Sequence, residues 1–136
     1  MSDTPQPPSK GLVIASWIGQ AIVAGMFVVA TLPKLTGAEE SIDLFTKLGA
    51  EPAGRYATGV FELIAAVLLL LPRTVPFGAV LAMGLMIGAL GAHATKLGFS
   101  FDDGSGPMGV LAGALLLIST GIAFIRRGRL LALLGR

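Results

Sequence analysis

Four side chains give this otherwise inert sequence something to do chemistry with: Lys34, Arg55, Glu62 and His93. Glu62 is the sharpest signal. It interrupts the apolar run GVFELIAAVLLLLPR, residues 59–73. A carboxylate inside hydrocarbon is costly unless it is paired, hydrated or neutralised. Arg55 and Glu62 stand seven residues apart, nearly two helical turns, and therefore share a helix face. At about 1.5 Å rise per residue, Glu62 lies about 10 Å below the start of its helix. Thr58, Gly59, Ala65 and Ala66 fall near the same stripe. Small or hydroxylated residues there predict the approach of another helix, so Glu62 is expected to face the interior of a bundle.

Partners come from other segments. Lys34 follows Pro33 at the end of the first apolar run, and His93 lies one turn before Lys96 at the end of the third. The four groups are expected to converge from three helices on one half of the bundle. Two uses fit them. One is a buried ion pair that fixes helix register. The other is a polar pocket for a small molecule, a lipid or quinone headgroup, or a partner's side chain, and a proton or ion route is a lesser third. A lone histidine is more often a satisfied interface residue than a ligand. Gln20 lies towards the opposite half and fits a separate interhelical hydrogen bond. Trp17 reads as an interfacial anchor.

The elements that must position these groups follow from composition. Of 136 residues, 54% are hydrophobic and 13% charged, with a mean hydropathy of +0.81. A soluble domain carries about 25% charged residues, so the chain reads as an integral membrane protein with one compact domain. The net charge of +2 gives no reason to expect a nucleic-acid partner. There is no cysteine, which removes disulfides, thiol redox chemistry and thiolate metal sites. One histidine cannot supply bis-histidine haem ligation, and no metal site is expected. DDGSG, residues 102–106, lacks the ligand spacing of a calcium loop and is expected to be a turn.

A spanning helix needs about 20 mostly apolar residues. The charges bracket four such runs, near residues 12–33, 54–71, 76–97 and 107–125. The predicted fold is all-α: a polytopic membrane protein built as a four-transmembrane-helix bundle. PRTVP, residues 72–76, allows only a tight turn between the second and third spans. Pro107 suits the first turn of the fourth. Residues 1–10 are Pro-rich and polar and are expected to be a disordered tail. The transmembrane domain covers 11–126, and 127–136 is a basic tail. The first run is longer than a signal-peptide core, so it is expected to be an uncleaved anchor.

The first long loop should hold a short amphipathic helix. Thr36 and Glu39 have the spacing of a capping box. Ile42, Phe45 and Leu48 recur every three residues, and Gly49 is placed to end the helix. Such a helix either covers helix ends or acts as a lid over a pocket. Lys10, Arg73, Arg126, Arg127, Arg129 and Arg136 fall on the side of the termini. The other side carries Lys34, Lys47, Arg55 and Lys96 diluted by six acids. The positive-inside rule then makes both termini cytoplasmic. The arginines after the fourth span read first as a topology anchor, compatible with anionic lipid headgroups. Small-residue spacings, Gly84/Gly88, Gly109/Gly113, Ala15/Gly19 and Ala21/Gly25, predict close helix packing and leave room for a homodimer.

The order LPKLTG, FTKLGAEP, GVFELIAAVLLLLPR, AHATKLG resembles the DoxX-like family of four-helix membrane proteins, over residues 11–124. That family closes its first helix with Gly-x-x-Lys-Leu and carries Gly-x-x-Glu-Leu in its second. Lys34, Gly59, Glu62 and His93 match its recurrent positions. The glycine usual before the lysine is missing from ATLPKL. The resemblance implies a small bacterial-type inner-membrane accessory or binding protein. Some members are subunits of quinone-linked oxidoreductases, and similar proteins assist receptor assembly. The implied site is a pocket around Glu62 and His93 with Lys34 and Arg55, for a quinone-like or lipidic molecule or a membrane-protein partner such as an oxidoreductase. No intrinsic cofactor is implied; a quinone is the cofactor class it admits. Catalysis is not assigned to the chain alone. The alternatives are a membrane-protein assembly chaperone and a small proton-coupled transporter.

Overall fold

The computed structural model describes residues 6–100 and 105–135. Among these residues six α-helices follow one another: α1 (Lys10–Thr36), α2 (Glu39–Lys47), α3 (Ala53–Leu70), α4 (Val75–Ala92), α5 (Ser105–Ile125) and α6 (Arg127–Leu134). A π-helical turn, His93–Leu97, continues α4. There are no strands among the described residues. α1, α3, α4 with its π turn, and α5 are each long and apolar enough to cross a membrane.

Local chemistry explains the boundaries. The Ser9 side chain accepts from the Leu12 amide at 3.3 Å and starts α1. α1 runs through Pro33 and stops only at Gly37, whose φ of 74° opens the left-handed turn. The Ala38 amide then bonds the Pro33 carbonyl at 2.9 Å. α2 ends in the same manner at Gly49, φ 71°. Ala50 donates to the Phe45 carbonyl and Gly49 to that of Thr46, the paired bonds of a Schellman motif. The expected capping box does not form. Thr36 is still helical, so its hydroxyl donates back to the Leu32 carbonyl at 2.7 Å, and Ala38 caps α2 without a side chain.

The turn between α3 and α4 is tight, as expected: the Thr74 hydroxyl donates to the Leu68 carbonyl at 2.8 Å. The backbones meet closely beside it. A β-carbon on Gly78 would lie 2.7 Å from the Leu69 amide nitrogen. Residues 101–104 lie outside the described part, but Ser105 and Gly106, the last two residues of the expected turn, already belong to α5. The segment expected as a basic tail is largely α6, which buries none of its residues.

α3 packs between α1 and α4, and α5 packs on α4 and α1. The core is made of Val23 and Phe27 from α1, Ala65 and Leu69 from α3, Ala79 and Ala82 from α4, and Leu115 and Ile122 from α5. Outward residues are large and apolar, as with Leu117 at 76% exposure, which suits a surface solvated by lipid. α1 and α5 meet near the termini, where a β-carbon on Gly19 would reach Ile118 at 3.1 Å. The glycine stripes do less packing than their spacing predicts. Gly25, Gly84, Gly88, Gly113 and Gly121 have no neighbour within 4 Å of an added β-carbon.

Candidate functional site

Glu62 points into the bundle and is 4% exposed. The Lys34 ammonium donates to Oε1 at 2.9 Å and to Oε2 at 3.0 Å. The same ammonium donates to the Ala30 carbonyl at 3.2 Å. The Thr31 hydroxyl lies 3.1 Å from the Gly59 carbonyl and 3.4 Å from Glu62 Oε2. This is why a glycine three residues before the glutamate matters. An added β-carbon on Gly59 would sit 3.0 Å from Leu35 and 3.2 Å from Lys34. Without one, the last turn of α1 comes down onto α3, and the amine reaches the carboxylate. The carboxylate inside the apolar run is thus held by a cation from the neighbouring span.

The pair stands in the wall of a cavity of ≈ 440 Å³. α1 contributes Met26, Phe27 and Ala30, and α5 contributes Met108 and Leu111. Leu44 and Phe45 of α2 and Leu48 at its C-cap line it as well, so the loop helix forms part of the cavity wall. Gly84 and Gly88 line it too. Their missing side chains make space rather than contact, which is why the expected packing stripe does not appear there.

His93 is buried and borders the same cavity. The π turn carries it inward at the end of α4. Its Nδ1 lies 3.0 Å from the Gly98 carbonyl, and its ring lies 5.5 Å from that of Phe99. A carbonyl only accepts, so in the neutral ring Nδ1 carries the proton and Nε2 keeps a lone pair. No hydrogen bond joins His93 to Glu62 among the described residues. The two share a cavity, not a contact.

Arg55 stands apart from this wall. It is buried, and its Nε donates to Glu51 at 2.9 and 3.0 Å. Its Nη1 donates to the Lys34 carbonyl, and its guanidinium stacks on Tyr56 at 4.3 Å. It ties the end of α1 to the start of α3 and so positions Lys34 without facing the cavity. Glu51 and Thr31 were missed from sequence. Thr31 precedes Lys34 by one helical turn, a spacing that could have exposed it. Among the described residues no three His, Asp or Glu side chains gather as a metal site.

Gln20 forms the separate cluster expected of it. Its Nε2 donates to the Leu69 carbonyl at 2.7 Å, and its Oε1 accepts from Ser16 at 2.6 Å. Arg126 joins by donating to Ser16 at 3.0 Å, and it lies over Trp17 at 5.9 Å.

Four apolar spans around an inward-facing Lys–Glu pair define a small multi-pass membrane protein. The DoxX-like family model matches residues 18–101, more than half of the chain, and the chain belongs to that family. The match includes Lys34, Arg55, Glu62 and His93 and stops before α5. No curated protein and no solved structure matches the chain.

Proposed function

We propose that this is a membrane binding protein whose cavity beneath α2 takes an amphipathic molecule bearing a hydroxyl group, of the quinol or lipid-alcohol kind. The observation that carries this reading is the balance of donors and acceptors in an apolar wall. The three ammonium hydrogens of Lys34 already have acceptors in Glu62 and Ala30. Thr31 is likewise engaged. What remains is the lone pair of His93 Nε2 and the free lone pairs of the Glu62 carboxylate. A site of buried acceptors favours a ligand that donates, and rejects the analogue that lacks the donor. Methionine, leucine and glycine around them suit a flexible apolar body.

Such a protein would act as a carrier or accessory subunit in an inner membrane, its cavity facing away from the cytoplasm if the Lys and Arg bias sets orientation. Electron transfer with a bound quinol would fall to a partner oxidoreductase. The test is titration of the purified chain with a matched short-tail quinol and quinone, followed by Trp17 fluorescence or calorimetry. The quinol is expected to bind about tenfold tighter or more, and Glu62→Gln and His93→Phe to erase that preference. Equal binding of both forms, insensitive to either substitution, would sink the reading.

A further inference from the structure

The opposite end of the bundle carries a second hollow of a different character. It measures ≈ 410 Å³ and lies between residues 6–9, Leu12 and the junction of α5 with α6. The charged groups that line it are Arg126, Arg127 and Arg129. Each arginine is held by neutral oxygens. Arg126 donates to Ser16 and Gln20, Arg127 to the Phe124 carbonyl at 2.8 Å, and Arg129 to the Arg73 carbonyl at 2.7 Å. The two ion pairs among the described residues, Lys34–Glu62 and Arg55–Glu51, are both at the α2 end. Each guanidinium thus has a neutral oxygen as partner and no carboxylate partner among the described residues, and each keeps further N–H donors.

The surroundings are those of a membrane boundary. α6 leaves the end of a spanning helix, buries nothing, and exposes Leu131, Leu133 and Leu134. A short helix with basic residues at its start and leucines beyond suits the headgroup–acyl interface. Leu12 and Phe124, both exposed, flank the hollow on the side of the spans. An arginine cluster that only set topology would need no hollow beside it.

We propose that this hollow binds one anionic phospholipid, its phosphate between Arg126, Arg127 and Arg129 and its chains along Leu12 and Phe124. Guanidinium forks match phosphate oxygens two at a time, which a lysine cluster would not do. The site is independent of the cavity beneath α2.

The test is native mass spectrometry of the full-length protein after exchange into equal phosphatidylglycerol and phosphatidylcholine of the same acyl chains. The wild-type protein is expected to retain phosphatidylglycerol about tenfold over phosphatidylcholine, a difference of about 1.4 kcal/mol. Arg127→Gln/Arg129→Gln should lose that preference. Lys47→Gln/Lys96→Gln, which removes the same charge at the α2 end, should keep it. Arg127→Lys/Arg129→Lys should fall between. The wild-type comparison needs no variant to fold, and helicity by circular dichroism checks the rest. Equal retention of the two lipids, an unaltered preference in the arginine double variant, or displacement by inorganic phosphate in large excess would each overturn the proposal.

Discussion

The two ends of the bundle use buried polarity differently. At the end of the termini, Ser16, Gln20 and Arg126 bind one another and the Leu69 carbonyl, while α1 and α5 lie in contact through Gly19. At the α2 end the corresponding polar groups, Lys34, Glu62 and His93, border open space. The first arrangement is a clasp that closes a helix end. The second leaves acceptors facing a cavity. Buried charge by itself therefore does not mark a binding site in this protein; what distinguishes the α2 end is an ion pair in the wall of an apolar cavity, where the hollow at the other end has arginines as its charged lining.

That contrast can be broken most forcefully at the ion pair. Glu62→Ala would leave the partly buried Lys34 ammonium without its counter-charge, a loss of up to about 3 kcal/mol, the low end for a broken buried pair. Thermal unfolding in detergent should show it, and Lys34→Met should lose a comparable amount. The double variant Glu62→Leu/Lys34→Met should recover most of the stability while still failing to bind ligand. If the double variant were no better than either single one, the pair would not be the source of the penalty.

Glycines give the next effect. Gly78→Ala drives a β-carbon into the α3 backbone and should cost about 1–3 kcal/mol by overpacking. Gly88→Ala meets nothing within 4 Å and should leave the melting temperature unchanged. A bulkier Gly88→Leu should weaken ligand binding without unfolding the protein. Equal losses at Gly78 and Gly88 would erase the distinction between packing and cavity glycines.

Smaller effects belong to the Ser16–Gln20–Arg126 clasp. Gln20→Leu removes the bond to the Leu69 carbonyl, and interhelical bonds in membranes average about 0.6 kcal/mol. Ligand affinity at the far cavity should not move. Ser119 is fully buried, and its hydroxyl has no partner among the described residues. Ser119→Ala should be neutral or stabilising, by up to about 1 kcal/mol; a measurable loss would point to a bound water at that hydroxyl.

Much of this architecture could be read in the chain before any coordinates. The spans were legible because a lipid-exposed helix must be apolar on every face, so each charge is a boundary or an exception. Glu62 was legible as the exception, and its neighbours Gly59, Ala65 and Ala66 revealed which way it turns. The end of α1 was not, because Pro33 looks like a stop. Pro33 loses its amide bond to the carbonyl four residues earlier and crowds it, yet the chain stays helical through Thr36, and the true stop is the left-handed Gly37 four residues later. Arg55 was assigned to the cluster by its helix face, but it lies one turn after Glu51, and a nearby carboxylate at a helix entrance captures it first. Glycine spacing told of a stripe and could not tell what the stripe faces. For Gly84 and Gly88 it is the cavity.

The Lys34–Glu62 bond also bears on how the protein is made. α3 is the least apolar of the four spans, and an acid at mid-helix weakens its own partition into hydrocarbon. Its counter-charge sits in a span synthesised earlier. α3 is therefore expected to insert with help from a predecessor already in place, which would make biogenesis a cooperative step between the first and second crossings rather than four separate events. Loss of the lysine would then surface first as a yield defect at the translocon, before any mature protein exists to be unstable.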